Sequence, residues 1–453
     1  MNPGDEITVT IEKMISGGIG LAKINNTAVF IKNTLPEEIV KIKITKINKS
    51  YIEGEIISVE KPSIYRIKPN CAFSKICGSC DLSYVEYNEQ LNQKKLVIKE
   101  TIKKIAGIDI DVQNIIASPK IKEYRCKIQL PYTQTKVSKR LLSGYYKKNS
   151  HELINIKHCS MHPDIINEIN EYLKEKAQNL NITGYNEKYN TGLIRHVIYR
   201  ISSDLKQILV IFVINSNKIE QNLKTLSLLL RQKYPQIVGI CANFNTKNTN
   251  VITGERTEII SGQDFYTEVL GNKKYKISSS SFFQVNPYCA ELIFEKVKDL
   301  ISKRVEKPSI LDAYSGVSSF GIWLSDIAKD VTCIEEVKSA SQDAINNLKL
   351  NNISNLKIIN GDAAKEFEKL IKKGVEFDIS VTDPPRKGCS LESINYLAKL
   401  TSKYIIYVSC NPATLARDIK LLKEHYFELE YLQGADMFPN TCHIECIAVL
   451  KKF

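Results

Sequence analysis

The chain has 453 residues, of which 43% are hydrophobic and 25% are charged. This length and composition are typical of a globular protein with two or three domains, and they exclude a disordered or fibrous chain. Lysine and arginine number 63 against 50 aspartates and glutamates, a net charge of +13, which fits either a nucleic-acid partner or a solvated lysine-rich surface.

The hydrophobic runs and the first residues predict where the chain acts. The longest apolar run, Ile208–Ile214, is far shorter than the about 20 residues of a transmembrane helix, and the acidic segment Met1–Glu6 lacks the apolar core of a secretory signal. We therefore expect a cytoplasmic protein that contacts no membrane and acts as a monomer. In that compartment the 12 cysteines are not a disulfide framework. Several are expected to be small core residues: Cys241, Cys289, Cys333 and Cys446.

Residues 1–60 are predicted to form a small all-β domain. Stretches rich in β-branched residues, such as Ile7–Ile11, Ala28–Ile31 and Tyr51–Ile57, alternate with turn signals such as Gly17–Gly20. Five or so short strands of this kind suit a small Greek-key barrel, a fold often used to hold nucleic acid.

The remaining chain changes its pattern near residue 272. Residues 61–271 combine strands with at least two helices, around 91–106 and 163–180, and predict a mixed α+β central domain. From residue 272 to 453 strands alternate with helices, which predicts an α/β, Rossmann-like domain built on a doubly wound parallel sheet.

A cofactor site is predicted at the carboxyl ends of the first strands of this sheet. The loop Asp312–Gly321 follows a strand and opens a helix, and Gly316 allows a sharp turn and a close backbone approach to a ligand. Glu335 ends the next strand, where it can accept hydrogen bonds from two ribose hydroxyls, and Asp362 follows the third strand within reach of an adenine ring. Because Ser318 stands at the second glycine of the dinucleotide fingerprint, the pattern favours S-adenosylmethionine over a dinucleotide.

Three further residues at this edge suggest covalent catalysis. Cys410 lies where a strand gives way to a helix, whose N-terminus is expected to favour the thiolate. Asp383 precedes a rigid Pro-Pro loop, and Glu445 adds a carboxylate near the end of the chain. C5 of uracil is a weak nucleophile, but a thiolate added to C6 gives C5 enolate character, and a carboxylate can then remove the C5 proton. The set predicts pyrimidine C5 methylation of a base that leaves its stack.

A second group of cysteines predicts a metal site. Cys71, Cys77 and Cys80 lie close together in the chain, and Cys159 is a distant fourth candidate. Four soft ligands suit either a structural zinc ion or an iron–sulfur cluster, and the spacing alone leaves both open.

Five ordered motifs resemble those of the RNA uracil-5-methyltransferase family, over essentially the whole chain. They are Ser281–Pro287, Asp312–Gly321, Asp383–Gly388, Ser409–Thr414 and Asp436–Pro439. The resemblance implies that Cys410 is the nucleophile and that Glu445 is the general base for the C5 proton. It also implies which residues bind S-adenosylmethionine: Gln284, Tyr314, Glu335 and Asp383.

The same resemblance extends to the first half of the chain. The cysteine pattern is similar to that of the ribosomal-RNA branch of the family and implies a 4Fe-4S cluster, held by Cys71, Cys77, Cys80 and Cys159. Residues 1–60 resemble a TRAM domain, an RNA-binding barrel, through Gly17–Ala22, Val29–Ile31 and Leu35–Glu38. The chain departs from the family at Ser318, where glycine is usual, and at Cys126, which we expect in the core in place of the usual asparagine.

Basic side chains on the barrel and in the central domain are candidate phosphate contacts. They are Lys41, Lys43, Lys46, Lys49, Arg125, Lys127 and Arg195. The segment Gly192–His196 also resembles a family motif, and His196 fits a core position equally well.

The sequence therefore predicts S-adenosylmethionine-dependent methylation of C5 of uridines in RNA. The barrel and the cysteine group together favour 23S ribosomal RNA as the substrate, because the shorter bacterial tRNA enzymes of the family that this chain resembles lack both. The alternative substrate is a uridine of tRNA. Arg386 after the proline pair argues against a cytosine C5-methyltransferase, and Ser318 against a nicotinamide-dependent dehydrogenase. The presence of Cys410, Asp383 and Glu445 argues against a non-catalytic RNA-binding or ribosome-assembly protein.

Overall fold

The computed structural model describes residues 1–148 and 150–453, and it begins with a six-stranded sheet in the order β1-β5-β6-β4-β3-β2. The strands are β1 (Glu6–Thr10), β2 (Lys13–Ile15), β3 (Ile19–Ile24), β4 (Thr27–Lys32), β5 (Ile39–Ile47) and β6 (Tyr51–Lys61). Alternate residues such as Val29, Ile31 and Ile42 are buried and form a core of this domain's own. Strands β5 and β6 pack closely because Gly54 has no Cβ, which would lie 2.6 Å from Cδ1 of Ile42. The predicted all-β N-terminal domain is confirmed, with six strands.

The segment after the barrel carries three of the predicted ligand cysteines. Residues 62–86 form turns and isolated bridges, one of them between Cys77 and Lys147. They lead into α1 (Tyr87–Ala106), which is followed by β7 (Gln113–Ile116). The helix starts earlier than the sequence indicated, because the side chain of Glu86 caps it by accepting the N–H of Glu89 at 3.1 Å.

A seven-stranded sheet forms the central domain, in the order β10-β9-β8-β11-β12-β13-β14. Its elements are β8 (Lys127–Gln134), β9 (Leu141–Tyr146), β10 (Leu153–Asn155), α2 (Asp164–Asn179), β11 (Ile194–Ile201), β12 (Ile208–Ile214), α3 (Gln221–Lys233), β13 (Ile237–Phe244) and β14 (Arg256–Gly262). Every residue of β12 is buried. Phe212 packs in the core under α2 and α3, whereas Ile211 packs in the core shared with the C-terminal domain. The sheet is therefore covered on both faces.

The C-terminal domain has the predicted α/β fold. Its elements are the hairpin β15 (Phe265–Leu270) and β16 (Lys273–Ser278), then α4 (Pro287–Ser302), β17 (Ser309–Ala313), α5 (Ser319–Leu324), β18 (Asp330–Glu335), α6 (Lys338–Leu350), β19 (Leu356–Asn360), α7 (Ala363–Lys372), β20 (Phe377–Thr382), α8 (Leu391–Leu400), β21 (Thr401–Ser409), α9 (Pro412–Lys423), β22 (Phe427–Ala435) and β23 (Glu445–Lys452). The strand order is β19-β18-β17-β20-β21-β23-β22-β7. Strands β17 to β21 are parallel, and β23 runs antiparallel between β21 and β22. The order reverses between β17 and β20, so a ligand is expected at the carboxyl ends of these strands.

Two expectations from composition can be compared with this fold. The 12 cysteines, all within the described residues, are free thiols, and the predicted core residues Cys126, Cys241, Cys289, Cys333 and Cys446 are buried. Within residues 1–148 and 150–453, each helix is too short or too polar to span a lipid bilayer.

Helix α1 and strand β7 pack against the C-terminal sheet although they precede the central one. Strand β7 pairs in parallel with β22, and α1 lies against α9 and β22. Nζ of Lys94 on α1 lies 2.6 Å from Oδ1 of Asp436, with side-chain exposures of 2% and 0%. Lys94 also donates to the carbonyl oxygen of Phe438 at 3.3 Å. Helix α1 thereby holds the loop between β22 and β23.

Replacing Lys94 with methionine is expected to lower the free energy of unfolding by about 3–5 kcal/mol, because the buried Asp436 carboxylate loses its cation. Urea denaturation measures the change. The control is Lys95→Met, since Nζ of Lys95 donates to Asn114 on the exposed surface; we expect an effect within about 0.5 kcal/mol. Equal losses in the two variants would contradict this role of Lys94.

Candidate active site

The loop after β17 has the backbone of a ligand-binding turn. Tyr314, Gly316 and Ser318 have φ angles of 61°, 58° and 60°, in the left-handed region that residues other than glycine seldom adopt. A Cβ placed on Gly316 would meet no atom of the described residues within 4 Å, so the main chain faces open space there. A ligand can approach this backbone closely.

Replacing Ser318 with glycine is expected to raise the free energy of unfolding by about 0.5–1 kcal/mol. Relief of the left-handed strain, about 1–2 kcal/mol, exceeds the extra entropy that glycine adds to the unfolded chain, about 0.5–1 kcal/mol. Ser315→Gly is the matched control and should be destabilising, because Oγ of Ser315 donates to the carbonyl oxygen of Ile334 at 3.3 Å. Thermal denaturation compares the two, and a Ser318→Gly protein less stable than wild type would contradict the strain.

Glu335 is fixed beside this loop at the end of β18. Its Oε2 accepts the N–H of Gly316 at 2.8 Å, and its Oε1 accepts the N–H of Val337 at 2.7 Å. Each carboxylate oxygen has further acceptor capacity, so the group can still receive two ribose hydroxyls. After β19, Asp362 caps α7 by accepting the N–H of Lys365 at 3.1 Å and stays exposed at the same edge.

Gln284 reaches this edge from the loop before α4. Its Nε2 donates to Oδ2 of Asp383 at 3.4 Å, and burial raises the pKa of Asp383 to about 7. The loop is anchored because Nδ2 of Asn286 donates to the carbonyl oxygen of Met437 at 3.1 Å. A carboxyl and an amide thus lie together at the end of β20, close to the Gly316 loop.

The antiparallel strand β23 brings Glu445 to Cys410. The register of β21 and β23 ends with Ser409 opposite Cys446, and Cys410 and Glu445 are the residues that adjoin this last pair. The charge of Glu445 contributes to the raised pKa of the Cys410 thiol, so the two side chains lie within range of each other's charge. Cys410 is half-buried and Glu445 is buried. The predicted nucleophile and base are therefore neighbours.

The thiolate expected at Cys410 is not favoured in the protein alone. Burial raises the pKa of the thiol, and the charges of Glu445 and Asp383 raise it further. The helix N-terminus does not offset this, because Asn411 rather than Cys410 is the N-cap of α9: its side chain accepts the N–H of Ala413 at 3.0 Å. Burial and these two carboxyls thus hold the pKa of the Cys410 thiol above its usual range.

Arg386 completes the group, a position that was not predicted for it from the sequence. Burial, followed by the charge of Asp383, holds the pKa of Glu445 well above its usual range, and the charge of Arg386 lowers it. Arg386 likewise opposes the effect of burial on the pKa of Cys410, through its charge and a hydrogen bond. Its backbone oxygen accepts Nδ2 of Asn411 at 3.3 Å, which ties its loop to α9. The available signal was an arginine on a rigid proline loop at the edge that carries Cys410.

The four predicted ligand cysteines line one cavity of about 240 Å³. Cys71 is exposed, whereas Cys77, Cys80 and Cys159 are half-buried. Burial, then the charge of Cys159, raises the pKa of Cys80 to about 12, with smaller contributions from Cys77 and Cys71, so the four thiols lie within range of one another's charges. Their soft donor chemistry fits an iron–sulfur cluster or zinc. In the described part of the chain, no three histidine, cysteine or acidic side chains are arranged to hold a metal ion.

The prediction that Arg195 contacts phosphate is wrong, because Arg195 is 4% exposed. Its Nη1 donates to the carbonyl oxygens of Asn245 at 2.9 Å and Lys247 at 2.7 Å, so the guanidinium holds the loop between β13 and β14. Arg125 lines the cysteine cavity, and burial lowers the pKa of Lys127 to about 8. On the barrel, Lys41 pairs with Glu6 at 2.8 Å. Exposed barrel lysines are Lys43, Lys46 and Lys49.

Two family models match the chain. The model described as tRNA (Uracil-5-)-methyltransferase matches residues 86–453, and that of the TRAM domain matches residues 2–57. The first match includes α1, β7, the central domain and the whole C-terminal domain.

Relatives and a solved structure match over almost the full length. An uncharacterized RNA methyltransferase of Oceanobacillus iheyensis is 33% identical over 453 residues, covering 99% of this chain and 97% of the relative. One from Clostridium acetobutylicum is 36% identical over 454 residues, with 99% and 97% covered. The crystal structure of Pyrococcus abyssi tRNA (uracil-54, C5)-methyltransferase in complex with S-adenosyl-L-homocysteine has a TM-score of 0.76 and 25% identity, covering 98% of this chain and 100% of that chain.

Proposed function

We propose that this chain, which belongs to the tRNA (uracil-5-)-methyltransferase family and is an S-adenosylmethionine-dependent RNA methyltransferase, methylates C5 of a uridine through a covalent adduct at Cys410. The observation that carries the proposal is that the β21–β23 register ends at Ser409 and Cys446, next to Cys410 and Glu445, and that the charge of Glu445 acts on the Cys410 thiol. Arg386 and Asp383 act on the same two groups. A thiol, a base and a cation around one point are what addition and elimination at a uracil ring require.

The residues act in a fixed order. The sulfur of Cys410 bonds to C6 of the uracil, and the electron pair of the C5–C6 double bond moves into an enolate. Bound S-adenosylmethionine supplies an electrophilic methyl group, which C5 takes. Glu445 then removes the C5 proton, the double bond re-forms, and the bond between sulfur and C6 breaks. The products are 5-methyluridine, S-adenosylhomocysteine, Cys410 as a thiolate and a protonated Glu445.

Arg386 provides positive charge for the two ionisations that this sequence needs. Cys410 must lose its proton before it attacks, and Glu445 must be ionised before it takes the C5 proton. The charge of Arg386 favours both anions, against burial. Arg386 is exposed, so it can also meet the phosphate of an incoming nucleotide. We assign it to both tasks.

The edge formed by β17, β18, β19 and β20 is proposed to bind S-adenosylmethionine. Gly316 and Tyr314 form the turn against which the cofactor lies, and Glu335 accepts the ribose hydroxyls. Asp362 reaches the adenine, while Asp383 and Gln284 face the sulfonium end. These assignments are supported by the open space at Gly316 and by the contact of Gln284 with Asp383.

The affinity for S-adenosylmethionine is expected to fall as the pH is lowered from about 8 to about 6. Burial raises the pKa of Asp383 and of Asp312 to about 7 each, so both carboxyls take up a proton across this range. Protonated Asp383 no longer attracts the sulfonium cation, so binding is strongest above pH 7 and weakens by up to roughly tenfold per pH unit below it. Calorimetry at three pH values measures the change. Asp383→Asn should bind weakly with a flatter profile; a dissociation constant independent of pH in the wild type would contradict this role of Asp383.

We further propose that Cys71, Cys77, Cys80 and Cys159 hold a 4Fe-4S cluster. The support is their donor chemistry, their common cavity and the family resemblance. Because methylation transfers no net electrons to or from the protein, the cluster would fix the cysteine segment against β9. Iron and acid-labile sulfide, assayed after anaerobic purification, should amount to about four of each per chain and be lost in Cys159→Ser. Zinc in their place would contradict the assignment.

For the substrate, we propose 23S ribosomal RNA, with tRNA as the second candidate. The cysteine group and the barrel support ribosomal RNA through the resemblance. The likeness to the Pyrococcus abyssi tRNA enzyme favours tRNA. Because that likeness covers 98% of this chain, barrel included, the barrel alone does not distinguish a ribosomal-RNA enzyme from a tRNA enzyme. Methyl transfer from labelled S-adenosylmethionine to unmodified 23S rRNA and tRNA, side by side, decides between them. Label in 5-methyluridine of either RNA supports the chemistry; no label in either contradicts it.

A further inference from the structure

A second cavity, of about 330 Å³, lies in the central domain and is called the β11 cavity here. It is bordered by residues 131–133 at the end of β8, residues 195–196 at the start of β11, the turn 185–188 and the loop 249–252. This volume lies in the range of small-molecule sites. The segment Gly192–His196, which the catalytic proposal does not use, contributes two of its lining residues.

Aromatic faces form part of its wall. Tyr146 and Tyr185 both line the cavity. Tyr185 is held in place because its hydroxyl donates to Oδ1 of Asn190 at 2.8 Å, and the guanidinium of Arg195 lies 4.5 Å from the centre of its ring. A flat, conjugated ligand can stack against an aromatic face, and every nucleobase is such a ligand.

The polar lining suits a neutral ligand better than an anion. Nδ1 of His196 is buried and has no hydrogen-bond partner among the described residues. Burial, and then the charge of Arg195, lowers the pKa of His196 to about 4, so the ring is neutral and offers one donor and one acceptor. The Nη atoms of Arg195 already donate to carbonyl oxygens, so the arginine is not free to bind a phosphate.

Strand β8, which borders the cavity, starts beside the loop that carries Gln284. The backbone N–H of Cys126, just before β8, donates to Val285 in the Gln284 loop at 2.7 Å. At about 3.3 Å per residue, Tyr132 of β8, which lines the cavity, lies roughly 20 Å further along the strand. On β9, Tyr145 lines the cysteine cavity and Tyr146 the β11 cavity, because successive side chains point to opposite faces.

We propose that the β11 cavity takes a second unpaired nucleobase of the substrate RNA, apart from the methylated uridine. The base stacks on Tyr146 and meets His196 with its polar edge. Single-stranded bases are recognised in this way, by stacking and by hydrogen bonds to their edges. The inference rests on the proposed function, since it needs an RNA substrate.

The test uses the shortest RNA that the wild-type protein methylates. Each unpaired nucleotide other than the target uridine is replaced in turn by an abasic one, and KM and kcat are measured. One abasic position is expected to raise KM by about 5- to 100-fold, the effect of losing one stacked base, with little change in kcat. Tyr146→Ala should raise KM for the intact RNA similarly and no longer respond to that abasic position. His196→Phe, which keeps the aromatic ring but loses its donor and acceptor, should reduce discrimination between bases there.

Tyr172→Ala is the matched control, because Tyr172, on α2, packs against Tyr234 at the end of α3 and does not line the cavity. S-adenosylmethionine affinity shows that each variant is folded. If all abasic positions and both cavity variants leave KM within twofold of wild type, the proposal is wrong. A small metabolite or a peptide would then be the remaining candidate ligand of the cavity. If wild type methylates no RNA at all, it is the proposed function that fails.

Discussion

Replacing Cys410 with alanine is expected to lower kcat for methyl transfer by roughly 10⁴- to 10⁶-fold, as loss of a catalytic nucleophile does elsewhere. Without the sulfur, C6 of the uracil forms no adduct, and C5 never gains the electron density that displaces a methyl group. The substitution removes one half-buried thiol after β21 and leaves the N-cap of α9 intact. Affinity for S-adenosylmethionine should therefore stay close to that of the wild type. Single-turnover transfer of labelled methyl groups to RNA measures the loss.

Cys446→Ala is the matched control for this variant. Cys446 is buried opposite Ser409, the residue that precedes the proposed nucleophile. Its side chain packs in the hydrophobic core of the C-terminal domain. We expect kcat within about threefold of wild type and a stability loss of about 1 kcal/mol. If Cys410→Ala keeps more than about a tenth of wild-type activity, the covalent mechanism is wrong.

Replacing Glu445 with glutamine is expected to lower turnover by roughly 10²- to 10⁴-fold and to accumulate protein covalently joined to methylated RNA. The adduct still forms and C5 still takes its methyl group, but the C5 proton stays in place and the bond from sulfur to C6 cannot break. Loss of the Glu445 charge also removes one cause of the raised pKa of Cys410, which favours the adduct. A denaturing gel of labelled RNA measures the accumulated complex.

The control is Glu424→Gln, an exposed carboxylate at the end of α9, which should turn over normally without accumulating complex. Loss of turnover in Glu445→Gln without a covalent complex would place Glu445 before the methyl transfer and contradict its role as the final base.

The cofactor edge could be predicted from the sequence because parallel strands bring their carboxyl ends together. Glu335 and Asp383 each follow a buried apolar strand, so their place at one edge required only the α/β pattern. Gly316 was informative for the same reason, since a glycine directly after the first strand marks the turn. The open space around Gly316 could not be predicted from the sequence, because it depends on which side chains fold over the loop.

The closeness of Cys410 and Glu445 could not be derived from the sequence pattern. It depends on β23 inserting antiparallel between β21 and β22, and two final strands could equally have paired in chain order. The raised pKa of the Cys410 thiol could not be predicted either, because it depends on burial and on carboxyls from distant parts of the chain. Arg195 was misjudged for a related reason: its charge suggested exposure, but backbone carbonyls in a buried loop satisfy its donors.

Helix α1 illustrates long-range packing that local patterns do not report. A helix was predicted around residues 91–106, but the partners of α1, α9 and β22, lie more than three hundred residues away in the chain. Lys94 and Asp436 form a buried pair that no local spacing indicates.

The measurement that tests the central claim most directly is the trapping of the adduct with RNA that carries 5-fluorouridine at the methylated position. Fluorine replaces the proton that Glu445 would remove, so the reaction should stop after methyl transfer with the RNA still bonded to the protein. We predict a stoichiometric complex that requires S-adenosylmethionine and gains one methyl group, with the modified peptide containing Cys410. The absence of a complex from a preparation that methylates the normal RNA, or its attachment at another residue, would contradict the account.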